Sequence, residues 1–144
     1  MPEYTERVSE VMYPLLHLHP VSTNGLARSA WVSMQDYHRG WLLINVGVIT
    51  NATVDVKLMQ ATTTAGLGGK DITGKAITQL VNTDDNVLCC IELQTEEMDV
   101  SNLFDCVAVE YQINGSSALI SWEFFGVIPR YAATPTTNWQ EIVG

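Results

Sequence analysis

Residues 52–63, ATVDVKLMQATT, alternate apolar and polar side chains with a period of two. Val54, Val56 and Leu58 fall on one face and Asp55 and Lys57 on the other, which suits a half-buried strand and defeats a helix. The same signal recurs along the chain. SAWVSM (29–34) and GWLLINVGVI (40–49) are strand-like and separated by the polar QDYHR, and NVLCCIELQ (86–94) reads as a largely buried strand. FDCVAVEYQI (104–113) and SALISWEFFGVI (117–128) flank Asn114-Gly115. That dipeptide between two such runs predicts a hairpin, because both turn positions need φ > 0. The hairpin would bring Glu110 near Glu123. On the last strand Ile120, Trp122 and Phe124 point one way and Ser121 and Glu123 the other. Phe125 and Val127 then make the polar face apolar, so either both faces are covered there or a partner covers one.

Six or more short strands with few helix signals predict an all-β fold, an antiparallel β-sandwich of jelly-roll-like type. Single helical turns are expected near residues 5–12, 70–81 and 95–103. In TEEMDVSN the acids stand where the first turn of a short helix would favour them. Pro2, Pro14 and Pro20 interrupt the first 25 residues and VSTNG closes them in turn formers. The expected organisation is an extended N-terminal arm, 1–25, and one sandwich domain, 26–144, ending in an irregular tail.

With 144 residues, 47% of them hydrophobic and 16% charged, the chain fits one domain with a proper core. No apolar run approaches the roughly 20 residues that span a bilayer. The N-terminus carries Glu3, Glu6 and Glu10 against Arg7 and lacks the basic start and cleavage site of a secretory signal, so export by that route is not expected. Net charge is −9, from 16 acids and 7 Lys plus Arg. Asp84, Asp85, Glu92, Glu96, Glu97, Asp99, Asp105 and Glu110 crowd one stretch, and no Lys or Arg lies between Lys75 and Arg130. Nucleic-acid affinity needs clustered cations, so direct binding of DNA or RNA is not expected. The acidity reads as solubility first, or as a face for a basic partner.

Three cysteines, Cys89, Cys90 and Cys106, read as reduced thiols, and without a CxxC pair they make no zinc site. From Gly69 the chain reads GKDITGKA, one letter from the phosphate loop G-x-x-x-x-G-K-[ST]. Lys75 is in place, but Ala76 lacks the hydroxyl that would hold Mg²⁺, and no βαβ unit surrounds it. It reads as a glycine-bearing connection. His17 and His19 share a strand face without a third ligand, and NTDDN (82–86) reads as a turn. Asn51-Ala-Thr53 and Asn114-Gly-Ser116 match glycosylation acceptors that matter only in an exported eukaryotic protein. There is no nucleophile elbow and no Cys beside a His. No combination of residues makes a catalytic site, so the expectation is a protein that is not an enzyme and carries no cofactor or metal.

The stretches ATVDVKLMQATTTAGLGGKDITGKAITQL, CIELQTEEMDV and FFGVIPRYAATPTTNW, in that order, resemble small structural proteins of tailed bacteriophages encoded among the head genes, some of which are capsid decoration or cement proteins. The resemblance covers roughly residues 28–143 and is weakest in the first 25. It implies a virion protein without by itself choosing decoration over head completion; the first expectation is a decoration protein, made in the host cytoplasm, on the outer surface of the expanded head, with the major capsid protein and its own copies as partners and a homotrimer as the expected oligomer. Within that expectation Tyr4, Met12, Tyr13, Leu15, Leu16 and Leu18 of the arm are candidates for reaching a neighbour. Arg130, Tyr131 and Trp139 of the tail are a second set, since Arg, Tyr and Trp are enriched in interface hot spots; the even alternative is a tail that folds back on its own sandwich. A head–tail connector or tail component is the alternative within the virion. A carbohydrate-binding module is the alternative of another class, for which Trp31, Trp41 or Tyr111 would have to form a flat stacking platform.

Overall fold

The computed structural model describes residues 7–130 and 139–143. A short helix α1, Val8–Val11, leads into β1, Met12–Arg28; then follow β2, Val32–Ser33, β3, Tyr37–Ala61, β4, Lys70–Ala76, β5, Val87–Gln94, and β6, Cys106–Pro129. Two single 3₁₀ turns, Thr95–Glu97 and Val100–Asn102, join β5 to β6. Among the described residues six strands form one antiparallel sheet. β6 lies between β1 and β3, β4 and β5 both pair the far side of β3, and β2 continues along β6 after β1. The all-β reading holds, as do the turns at residues 8–11 and 95–102. The segment 70–76 is a strand and not a helical turn.

The hairpin expected at Asn114-Gly115 does not form. The runs on either side of it do not pair with each other; both pair β3, in one register that passes Thr50↔Ser117, Ala52↔Gly115 and Val54↔Ile113 without a break. The two runs 40–49 and 52–63 are likewise one strand. Yet the dipeptide does change the chain's direction. Tyr111 and Trp122, eleven residues apart on β6, would stand roughly 36 Å apart if the strand ran straight. Their rings meet edge-on at 6.2 Å. The strand therefore folds back on itself, and β3 and β1 fold with it. Positive φ values mark the crease on all three strands: 123° at Gly115, 44° at Asn51 and 90° at Gly25. The described strands form one antiparallel sheet that doubles over at the crease, where the jelly-roll-like sandwich reading expected two sheets.

The inner face holds the core. Leu42, Ile44 and Val46 from the first half of β3 are buried together with Val54, Val56 and Leu58 from the second. Val107, Val109 and Ile113 of β6 join Ile120, Trp122 and Phe124 across the crease. The alternation read in the sequence thus survives, with one slip. β3 inserts an extra residue between Val46 and Ile49, which shifts the buried positions and keeps the apolar face inward on both sides.

The arm is a strand of this sheet from Met12 onward. Residues 12–28 pair β6 from Met12↔Val127 to Arg28↔Glu110. Pro14 and Pro20 do not prevent this, because β1 is an edge strand and edges tolerate proline. Irregularities between Pro14 and Leu16 and between Leu18 and Val21 absorb both rings. The domain boundary expected at residue 25 therefore lies within β1.

A side chain at 115 has nowhere to go: its Cβ would stand 2.1 Å from the Asn51 carbonyl oxygen. At Gly25 the same addition meets nothing within 4 Å, leaving only the cost of the positive φ. Urea unfolding should show Gly115→Ala losing about 3 kcal/mol or more and Gly25→Ala about 1 kcal/mol. Equal losses would mean that the crease has no tight approach. Deleting residues 1–25 should abolish the cooperative transition, since it strips a strand from Phe124 and Trp122; retained cooperative folding would show β1 to be dispensable.

Candidate interaction surface

Most of the interface candidates read from the sequence belong to the molecule's own fold. Tyr13 is 2% exposed, its ring lies 6.1 Å from Tyr37 and its hydroxyl donates to the Glu10 carbonyl at 3.0 Å. Leu15, Leu16 and Leu18 pack against the core, and Met12 is half-buried opposite Val127. Arg130 is exposed, with its amide donating to the Asp36 carbonyl at 2.8 Å and Nη2 to Thr95 Oγ1 at 3.1 Å. Trp139 folds back onto the sheet, its ring 6.2 Å from Phe125. Tyr4 and Tyr131 lie outside the described residues.

The outer face differs between the two halves of the sheet. Beyond the crease, around the second half of β3, it is charged. Lys57 Nζ sits 2.9 Å from Asp71 and 3.4 Å from Glu110, a hydrogen bond to Asp71 raises its pKa above the usual lysine value, and Asp55 accepts from Gln79 at 2.9 Å. Around the first half of β3 it mixes polar side chains such as Arg39, Asn45 and Glu92 with apolar ones. Because Leu42, Ile44 and Val46 face inward, Trp41 and Leu43 face out, with Phe125 beside Trp41 on β6. Toward the crease this strip ends in Leu88, Val48 and Leu119, exposed by 67%, 52% and 41%. Leu119 leans into the space left by the missing side chain of Gly47. Ordinary sequence reading missed these three. The hint available was the change of Phe125 and Val127 to apolar on a polar face, and the strip is where it leads.

The acidic block meets the chain's own cations. Arg39 Nη1 lies 3.3 Å from Glu96, Lys75 Nζ 3.0 Å from Glu97 and Lys70 Nζ 2.5 Å from Asp99. Asp84 and Asp85 accept the amides of Val81 and Ile49 at 2.9 and 2.7 Å. Glu97 is held below the usual carboxylate range by the Gln94 amide first and by Lys75 second; Asp99 is held low by Lys70 first and Asn102 second. The GKDITGKA stretch is thus a strand whose lysines are tied to carboxylates, and no phosphate cradle is present. Lys70 also lies 4.2 Å from the centre of the Phe104 ring.

No cluster of three metal-ligating side chains occurs among the described residues. His17 stands opposite Glu123, and Glu110 opposite Lys57, so the two glutamates are not brought together as the hairpin would have placed them. All three cysteines are free: Cys90 is exposed, Cys89 half-buried opposite Ile44, and Cys106 buried opposite Ala61 with its thiol pushed up to about 11 by burial. The proposed aromatic platform is dispersed. Trp31 lies under the Arg28 guanidinium at 5.4 Å, Tyr111 packs on Trp122 inside the fold, and Trp41 alone belongs to the outer strip.

No protein-family model matches the chain, and no curated protein and no solved structure matches it either.

Glu97 and Asp99 have lowered folded values, so their pairing stabilises the native state above the unfolded carboxylate pKa and is lost as pH falls through the folded one. The urea midpoint should hold between pH 7 and roughly pH 5 and fall below about pH 4. Lys70→Met should lower the neutral-pH midpoint and flatten that fall; an unchanged profile would show that the pair with Asp99 contributes nothing measurable, the usual outcome for an isolated exposed pair.

Proposed function

We propose that the chain is a capsid decoration protein of a tailed bacteriophage, bound to the outer surface of the expanded head through contacts with the major capsid protein. The observation that supports this reading is the exposure of Leu88, Val48 and Leu119 on the outer face toward the crease, apolar side chains suited to contact with another protein. The sequence resemblance to head-gene products points the same way. Burying a Leu or Val side chain contributes about 1.5–3 kcal/mol, so one such strip binds weakly by itself. Several strips on one cyclic oligomer, a trimer on a local three-fold axis, bind together through their effective concentration. Contacts offered only by the expanded lattice would stabilise that lattice by mass action. The arm, folded into the sheet from Met12, is not the docking element in this reading; the strip is.

Purified protein is sedimented with expanded capsids and with unexpanded procapsids, and bound copies are counted. Saturable binding in many copies to expanded shells alone is expected. Leu88→Glu and Leu119→Glu, both at exposed positions, should each weaken it about tenfold without lowering the unfolding midpoint. Binding to neither shell overturns decoration. A small fixed number of copies at one vertex overturns it in favour of a connector or tail role.

A further inference from the structure

A cleft of about 500 Å³ opens on the outer face at the end of the strip farthest from the crease, a size ordinary for a small-molecule site. Cross-strand pairing builds its floor two residues deep: Arg39 and Trp41 on β3 beside Gln94 and Glu92 on β5. Lys75 and Glu97 form one wall. Trp41 is half-exposed, and the row continues through Phe125 to Trp139 in steps of 5.9 and 6.2 Å. The interplanar angles, 31° and 37°, describe a ridge of rings and not a cage of perpendicular faces.

The charges in this cleft narrow the ligand. Lys75 is held by Glu97, and Arg39 by Glu96, so neither cation stands free for a phosphate or carboxylate. Arg39 and Lys75 balance Glu92 and Glu97 in the lining, so the cleft has no excess of negative charge to select a cation. What remains are planar polar groups with open valences. Glu92 is exposed and has no hydrogen bond or ion pair among the described residues. Arg39 uses Nη1 on the His38 carbonyl and Glu96, leaving its other N–H groups. The Gln94 side chain accepts the Glu97 amide and keeps its own donors. An apolar ring face flanked by such acceptors and donors fits a ligand with one apolar face and a rim of hydroxyls.

We propose that this cleft binds a neutral saccharide, with an apolar sugar face on Trp41 and hydroxyls on Glu92, Arg39 and Gln94. The site uses none of Leu88, Val48 and Leu119, and it stands or falls apart from the decoration reading. It would give the protein a second binding activity toward glycans.

The free protein is titrated with maltotriose, cellotriose, mannotriose and tri-N-acetylchitotriose, with sialyllactose as the anionic and trilysine as the cationic comparison. Tryptophan fluorescence and saturation-transfer NMR report binding. At least one neutral trisaccharide should saturate with Kd on the order of 1 mM. Trp41→Ala should weaken it about tenfold or more, Glu92→Gln less, and Trp31→Ala not at all. Near-ultraviolet circular dichroism checks that the variants stay folded, and Trp41→Phe, which keeps a ring, should retain part of the affinity. No saturation by any neutral sugar at roughly 10 mM overturns the proposal. So does binding that survives Trp41→Ala, or a preference for trilysine or sialyllactose. Capsid sedimentation is a separate readout, so loss of one activity leaves the other legible.

Discussion

At residue 115 the backbone of β6 passes so close to that of β3 that only a hydrogen atom fits between them. That approach is what lets one sheet double over. Without it, strands of 25 and 24 residues would make a long flat ribbon with a wholly apolar face open to water. With it, the apolar face closes on itself, Tyr111 reaches Trp122, and a core forms from two halves of the same strands. Asn51 takes the left-handed conformation on the partner strand, a region that asparagine tolerates better than other side chains. Gly25 does the same on β1. Three strands bending at one level keep their pairing on both sides of the crease, which three separate turns would interrupt.

The sequence disclosed the faces better than the connections. Period-two patterning placed Val54, Val56 and Leu58 inward correctly, since burial of a strand face depends on alternation alone. It placed Ile120, Trp122 and Phe124 inward for the same reason. The connection at Asn114-Gly115 was misread because φ > 0 is all the dipeptide specifies. A hairpin and a crease both satisfy it, and the choice between them rests on which strand is nearest. That strand is β3, some sixty residues earlier in the chain at Thr53. The arm was misread for a related reason. Its prolines mark poor central-strand sequence, but an edge strand shows one side to solvent and can hold them. Of the interface candidates, Tyr13 and the leucines of β1 are apolar side chains that need a cover. What local reasoning lacked was the identity of their cover, which is β6 of the same chain.

Charge is sorted over this surface as sharply as hydrophobicity. Lys57, Lys70 and Lys75 each lie against a carboxylate, so the excess of acids is not one continuous field. The turns between β5 and β6 carry Glu96, Glu97 and Asp99 over to the cations of β3 and β4 and fasten the side of the doubled sheet away from β1. The opposite side, where β1 forms the edge, has apolar packing in place of ion pairs. Both proposed activities lie on the outer face around the first half of β3, one at the exposed apolar residues toward the crease and the other at the charged cleft of Arg39, Lys75, Glu92 and Glu97.

The order of strands in the sheet is not their order in the chain. β6 is the last of the six to be made, yet it is the one that β1, β2 and β3 all share. Met12 pairs with Val127, so the first strand has no partner until nearly the whole chain exists. Pairing over such sequence distances makes folding slow and late, because loop closure must precede the contacts that reward it. It also makes folding all-or-none. Leu119 and Phe125 of the outer face belong to β6, so that face is incomplete until the last strand is in place. The last strand to be made is thus the one whose placement completes both the core and the outer face.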